Sequence, residues 1–467
     1  MMDSAKAVED QKSAATIFGG ARTNEKEWRR FPLFLGAAFL LIFPFAGAGA
    51  AGEPILLNPD GAWCWFQDER AVIYDGKMTV ASITRSGDVQ ATTWDFAKGS
   101  IFVKTLRPDF TGDDHNVAAL LVRRDGRLVA FYAKHHREPR MYYRVTTRPR
   151  DATDWEPEQS YDAGVTSMFT YANPFQLPAE ENRIYNFWRG IDFNPTWSAS
   201  DDNGRSWSDG ANHIYFKKGE RPYVKYASNN VDTIHFAFTE AHPDRPIQTS
   251  LYHAFHRKGS LYTSEGKVVR KLSDGPITPS EATKIYDGKN SPTGEAWVWD
   301  MALDSSGNPV IAYTSHLSPN DIRYRYARWT GSAWRDRQIA FGGTRLYRSQ
   351  EFYAGGICLD PDNPDVVYLS SDVNLHDGKP HRSGHYEIYK GVSRDGGKSW
   401  EWLPVTAGSG QDNLRPIVPA NHPGDTFVLW FRGTYRSYVD YDTEVVAYTD
   451  AKLPPVTKRV SPDAETR

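Results

Sequence analysis

An all-β fold built from a repeated hairpin unit is predicted by three features of this sequence. The pattern S-x-D-x-G-x-S-W occurs twice, as Ser200-Asp201-Asp202-Asn203-Gly204-Arg205-Ser206-Trp207 and as Ser393-Arg394-Asp395-Gly396-Gly397-Lys398-Ser399-Trp400, 193 residues apart (393 − 200). Runs of β-branched and aromatic residues with period-2 alternation recur between turn signals. The composition, with 15 Trp, 25 Tyr, 23 Phe, 37 Gly and 29 Pro, suits short strands and many turns better than helices.

Each S-x-D-x-G-x-S-W copy encodes a tight hairpin. The Asp carboxylate accepts backbone N–H groups inside the turn, Gly supplies a positive φ, and Trp returns to pack beneath it. Two copies point to an architecture that repeats a β-unit. The pattern resembles the Asp-box of BNR-repeat proteins, which are β-propellers that mostly handle carbohydrates. The resemblance implies a β-propeller with Asp-box hairpins at its outer rim, where Asp202 and Asp395 are turn residues remote from the central pocket.

The expected strands include Met78 to Ile83, Leu128 to Tyr132, Ile184 to Trp188, Ile234 to Phe238, Val310 to Tyr313, Val366 to Leu369 and Phe427 to Trp430, most of them entered from an Asp, Asn or Gly turn. Arg124-Asp125-Gly126-Arg127, Ser305-Ser306-Gly307-Asn308 and Asp362-Asn363-Pro364-Asp365 read as one hairpin position repeated in different blades. Removing a leader of 50 residues leaves 417 (467 − 50), which over seven blades is about 60 each, somewhat above the usual ~40 to 50 and so with room for long loops. Seven blades are expected, and six or eight also fit the arithmetic. The spacing of the two turns is then about three blades.

At the N-terminus, Arg29-Arg30 precede an apolar run from Phe31 to Phe45, and Ala46-Gly47-Ala48-Gly49-Ala50 supplies small residues for cleavage. This run of about 15 residues falls short of the ~20 that span a bilayer, so residues 1–50 read as a signal peptide with an extended n-region rather than an anchor. A secreted or periplasmic protein follows, without stable membrane insertion. Residues 51–451 read as a single propeller domain, since no linker or charge block divides them, and 452–467 as a surface tail. The net charge of −3 argues against a nucleic-acid partner, and a monomer is expected. The two cysteines, Cys64 and Cys358, would meet as a disulfide if the terminal blades adjoin, or else stay as buried thiols.

Candidate chemistry gathers at strand ends. Asp113-Asp114-His115-Asn116 precedes one strand and Lys134-His135-His136-Arg137 follows the next, so an antiparallel pair joined at Asp125-Gly126 would place His115 and His135 side by side. Tyr171, Arg189, Arg221, Tyr223, Tyr226 and His242 also stand at strand ends, and His253 lies within a strand. A propeller turns such ends toward one mouth. Arg189, between Trp188 and Gly190 in an apolar strand, suits an anion. Several His, Tyr and Arg without evident paired carboxylates fit β-elimination on an acidic polysaccharide. Arg or His⁺ neutralises the uronate carboxylate, a base takes the α-proton, and an acid protonates the departing oxygen.

Gly61-Ala62-Trp63-Cys64-Trp65-Phe66-Gln67-Asp68-Glu69-Arg70-Ala71, Asp113-Asp114-His115-Asn116, Phe131-Tyr132-Ala133-Lys134-His135, Arg221-Pro222-Tyr223-Val224-Lys225-Tyr226 and Ile234 to Pro243 together resemble the BNR-repeat proteins that include the seven-bladed ulvan lyases. The first of these reads as part of a blade core. The resemblance implies that His115 and His135 act at the catalytic centre, that Tyr171 is the acid/base and that Arg189 neutralises the uronate. Tyr226 (or Tyr223) and His242 would complete the wall, with Arg221, Tyr223 and His253 binding substrate. His136 competes with His135, and Tyr161 and Tyr185 with Tyr171. It further implies a secreted polysaccharide lyase for an ulvan-like, uronate-containing, sulfated polymer. A sialidase-like hydrolase and a non-catalytic carbohydrate-binding propeller are the rivals.

No cofactor is required by this chemistry. Asp372, Asn374, His376, Asp377, His381 and His385 form a polar loop with the ligand types for a structural cation, or a solvated loop. The sequence holds no H-E-x-x-H, G-x-S-x-G, P-loop or dinucleotide-binding signature.

Overall fold

The computed structural model describes residues 52–244 and 247–460, in which seven sheets of four to six strands make a seven-bladed β-propeller. The 1–50 leader and the end of the tail lie outside the described residues. Each blade is an antiparallel meander, and the seven first strands are Ala71–Tyr74, Ala119–Val122, Thr170–Leu177, Tyr223–Ser228, Glu295–Leu303, Ile357–Leu359 and Asp412–Ile417. First strands of neighbouring blades pack on one another, for example Tyr223–Ser228 on Glu295–Leu303, and ring the central channel. Six steps separate Ala71 from Asp412, about 57 residues each.

The ring closes twice. Ile55–Asn58 joins the last blade as its outermost strand, with Ile55 opposite Ala447. At the other end Lys458–Val460 pairs in parallel with Ser100–Arg107 of the first blade, so the start of the predicted tail is part of a sheet. These pairings cover the outer edges of Asp440–Thr449 and of the start of Ser100–Arg107.

The three turns expected to share one position do so: Arg124 to Arg127, Ser305 to Asn308 and Asp362 to Asp365 each join the first and second strands of a blade. The two S-x-D-x-G-x-S-W turns both follow third strands, Pro195–Ser200 and Glu387–Val392, three blades apart. In the first, Asp202 Oδ1 accepts the N–H of Arg205 and of Ser206 at 2.9 Å, while the Ser206 hydroxyl donates to Oδ2 at 2.6 Å. Asp395 makes the same bonds. Slight burial opposes ionisation, but these bonds outweigh it and hold the Asp202 carboxyl at about 2. Because that pKa is depressed, the turn stabilises the fold above the ordinary carboxylate range and loses this as pH falls toward 2. Asp202→Ala is expected to cost about 1 kcal/mol after solvent screening, read as a lower melting temperature at neutral pH with turnover unchanged.

The segment Gly61 to Arg70 departs from expectation. Its ends pair with the first blade, Ala62 with Ile83 and Arg70 with Ala81, and between them the segment runs through the central channel and plugs it. Trp63 Nε1 donates to Arg415 O and Trp65 Nε1 to Val298 O, while Gln67 Nε2 donates to His115 O. Asn173 Nδ2 donates to Phe66 O at 3.1 Å and Leu120 N to Glu69 O at 2.7 Å. Trp65 stacks on Trp299 with centroids 4.1 Å apart. An aromatic plug fits because seven first strands leave an axial space that their own side chains do not fill, and large rings fill it at close-packed density.

Below the rings, Lys225 is fully buried and donates to Trp65 O at 2.6 Å and to Asp68, with Asp300 3.8 Å away. Asp68 is also paired with Arg70 at 3.1 Å. Both cysteines are buried free thiols, Cys64 in the plug and Cys358 in the first strand of the sixth blade.

Candidate active site

First strands enter, and second strands leave, at the same face, because the two are antiparallel. Residues just before a first strand therefore meet residues just after a second strand. In the second blade Ala119 lies opposite Phe131, which brings His115 and His135 together. Their imidazoles stack at 4.0 Å, 14° from parallel, and the Tyr438 ring stands edge-on to both.

Asp113 sits between them. Its Oδ1 is 2.7 Å from His115 Nδ1, and its Oδ2 is 3.0 Å from His135 Nδ1. Asp114 Oδ1 also lies 2.9 Å from His115 Nδ1 but makes no hydrogen bond there, so it acts on the ring through charge. Asp114 in turn is ion-paired with the buried Arg415 and accepts the Tyr435 hydroxyl.

Arg189 ends the second strand of the third blade, and its Nη1 donates to the Tyr223 hydroxyl at 2.9 Å. The guanidinium lies 5.0 Å from the Tyr171 ring centroid and 5.3 Å from that of Tyr223. Its Nη2 is 3.4 Å from His135 Nε2. Arginine only donates, so His135 Nε2 is an acceptor, and the ring's proton is on Nδ1, given to Asp113. Although Arg189 is only 6% exposed, no carboxylate among the described residues lies within ion-pair distance of it. Its guanidinium is a buried cation without a counter-ion.

Burial opposes charge on His115, but the acidic groups around it, of which the Asp113 and Asp114 carboxylates are the ionised ones, raise its pKa well above the ordinary range. Burial, then the His115 charge, lowers His135 to about 4, with Arg189 adding to the effect. Burial and the neighbouring Tyr223 push the Tyr171 phenol well above its usual value. Its hydroxyl is buried and makes no hydrogen bond. The face thus presents a charged His115, a neutral His135, a neutral phenol and a free cation.

His242, after the second strand of the fourth blade, packs edge-on to Tyr223 and Trp297; its Nδ1 accepts the Asp244 backbone N–H at 3.1 Å and lies 2.7 Å from the Asp244 carboxylate. Burial lowers its pKa, Asp244 opposes, and Arg189 and Arg221 press it down further. The Arg221 guanidinium lies 5.3 Å from the Phe193 ring, on which His136 also stacks at 4.1 Å. Arg221 and His136 therefore stand together beside the central group.

Two predicted residues fall elsewhere. Tyr226 bonds His213 Nε2 at 3.1 Å and stacks on Phe187, between the third and fourth blades. Tyr223 and Tyr226 are three apart on a strand and so face opposite ways, and Tyr223 is the one in the cluster. His253 lies on the third strand of its blade, away from the mouth, bonded to His235 at 3.1 Å and to Ser264 at 2.7 Å. Of the other tyrosines, Tyr161 stacks on Trp207 and Tyr185 donates to Glu180, while Tyr171 lies beside the His115 ring.

The polar loop does not gather its ligand atoms. Asp372 accepts from Thr344, Asn374 from His376 N, and Asp377 from Lys379, while His381 pairs with Tyr389 and His385 with Asp412. Among the described residues, the three clusters of ligand-type atoms within 4.8 Å of one another lie elsewhere. One, Asp360, Asp362 and His422, joins the sixth and seventh blades and is held by a His422 to Asp360 contact of 3.1 Å. The other two, Cys64 with Asp114 and His115 and Asp113 with His115 and His135, fall on the histidine pair, and in the second of them the Asp113 oxygens and both Nδ1 atoms are already hydrogen-bonded to one another. Sequence reasoning named neither Asp113 as the bridge nor Tyr438 as its cover, although Asp113 adjoins the His115 motif.

Among solved structures, an ulvan lyase bound to -[GlcA(1-4)Rha3S]-, described as a new family of polysaccharide lyase, has a TM-score of 0.62 at 15% identity, covering 87% of this chain and 97% of its own. A second structure of an ulvan lyase of this kind gives 0.61 at 15% identity, over 88% and 96%. The BP39L lectin from Burkholderia pseudomallei gives 0.50 at 11% identity, over 84% and 99%. These likenesses show a shared fold. No curated protein matches. The model of the BNR repeat-containing family matches residues 68–341, more than half of the sequence, and the chain belongs to that family.

Proposed function

We propose that this protein is an exported polysaccharide lyase that cleaves a uronate-containing, sulfated polymer of the ulvan type by β-elimination. The observation that carries the reading is Arg189: a buried cation with no counter-ion, set between a neutral imidazole and a phenol with a free hydroxyl. Burying an unpaired charge is expensive, and an anionic substrate group at Arg189 would relieve that cost. The ulvan lyases of the same fold lend support, as their substrate carries a glucuronate.

In this mechanism the uronate carboxylate lies against Arg189, which stabilises the charge that develops as the α-carbon proton leaves. His135 Nε2 takes that proton from C5. The electron pair forms the C4–C5 double bond, the C4–O bond breaks, and the Tyr171 hydroxyl gives its proton to the departing oxygen. His115, charged, adds positive potential beneath the cleft. Hydrolysis by paired carboxylates is less well served, because Asp113 and Asp114 are committed to the histidines and to Arg415.

The test is to incubate the protein with ulvan and other uronate polymers while following absorbance of the unsaturated uronyl product. A rise supports the lyase. New reducing ends without that absorbance would mean a hydrolase, and neither, across the panel, a binding protein. With His135 at about 4, the base is neutral above that pH and protonated below it. The acid limb of kcat/KM, which reports the free enzyme, is therefore expected near pH 4 rather than near the ordinary histidine value of about 6.5.

A further inference from the structure

Two imidazoles stacked at 4.0 Å cannot both carry charge cheaply. Two unit charges that close, away from bulk water, repel strongly. At most one ring carries the extra proton, and the groups around the pair decide which. His115 faces Asp113, Asp114, Cys64 and Tyr171, with Tyr438 edge-on and Arg415 behind Asp114. His135 faces Asp113, the charged His115, Arg189 and Tyr438. Asp113 is common to both. It is 6% exposed, its two oxygens go to the two Nδ1 atoms, and Oδ1 also accepts the His115 backbone N–H at 3.0 Å.

We propose that Asp113 is a positioning residue that divides the work between the two histidines: it fixes His135 as the Nδ1–H tautomer, with Nε2 open to substrate as base, and holds His115 as the imidazolium. The geometry requires an Nδ1 proton on each ring. A carboxylate accepts at each oxygen and donates at neither, so each Nδ1 facing it must carry a proton. On His135 that leaves Nε2 as the lone pair, in agreement with the donor from Arg189. On His115 the second carboxylate, Asp114, is fixed in place by Arg415 from the last blade and the Tyr435 hydroxyl, so the charge settles there. The role resembles that of any buried carboxylate that sets the tautomer of a catalytic imidazole, with the difference that one carboxylate serves two rings and gives them opposite states.

The inference rests on the lyase reading for what His135 does, but not for how the rings are protonated, so the two can fail separately. Nitrogen-15 NMR of the histidine-labelled protein at neutral pH, with His115→Gln and His135→Gln to assign the signals, reads both rings directly. We expect a neutral Nδ1–H ring for His135 and a doubly protonated ring for His115. A neutral His115, or His135 protonated at Nε2, would overturn the proposal whether or not any polymer is cleaved. Asp113→Asn replaces one acceptor oxygen by a donor, so one Nδ1 must give up its proton. The variant should lose about 10- to 100-fold in kcat with little change in KM, and the pH profile should move with the altered ring signals. Unchanged ring states and an unchanged pH profile in a folded Asp113→Asn would equally reject it. If that variant does not fold, the spectrum of the unsubstituted protein decides alone.

Discussion

Arg189→Ala is expected to lower kcat/KM on a uronate polymer by about 1,000-fold or more without lowering the melting temperature. The size follows from removing a charge-assisted, preorganised donor at the point where negative charge grows, for which single donors contribute about 10²- to 10³-fold, with loss of substrate charge pairing added. The stability half follows from the missing counter-ion. Arg189 is buried, and among the described residues its side chain meets the Tyr223 hydroxyl, His135 Nε2 and the Tyr171 and Tyr223 rings but no carboxylate, so its removal abolishes a desolvated charge and orphans no carboxylate among them. Measuring turnover and thermal unfolding on the same preparation checks both halves. Full turnover in the variant would mean that the anion site lies elsewhere, and a large loss of stability would mean that Arg189 is a structural residue.

Lys225→Met is expected to do the reverse, destabilising the fold by about 3 to 5 kcal/mol before any question of catalysis arises. Lys225 is fully buried and ties the plug to the fourth blade through Trp65 O and Asp68, with Asp300 nearby. Breaking a buried pair on one side leaves the other charge uncompensated, which is the costly case. Asp68 would keep only Arg70. Denaturant unfolding of the variant against the unsubstituted protein measures the loss, and a change within 1 kcal/mol would show that the plug is held by its aromatic packing alone.

The fold was legible because its signals are local and repeated. Two S-x-D-x-G-x-S-W turns and three first-hairpin turns carry their own geometry, and their spacing counts blades. The histidine pair was legible for the same reason: the Asp125-Gly126 turn sets a short register, and that register puts His115 beside His135. Arg189 was visible as a charge in an apolar strand. What was not legible depends on contacts without local pattern. Tyr226 and Tyr223 look alike in sequence, and only strand parity, fixed by the register of Tyr223 against Thr239, separates the cluster from the blade interface. His253 carries the right side chain on the wrong strand of its blade. The plug could not be read at all as a plug, because Trp63, Trp65, Phe66 and Lys225 find partners from blades hundreds of residues apart.

Residue type alone does not set protonation state at this face. His115 and His135 are the same side chain a few ångströms apart, yet one faces two carboxylates and the other a guanidinium. Environment, not identity, assigns their charge.

The most direct measurement is the mass of the fragments released from a uronate polymer of defined length. β-Elimination splits the chain without adding water, so the fragment masses are predicted to sum to that of the parent, with the double bond on the new non-reducing end. Fragments that together exceed the parent by one water per cut would contradict the account, whatever the fold.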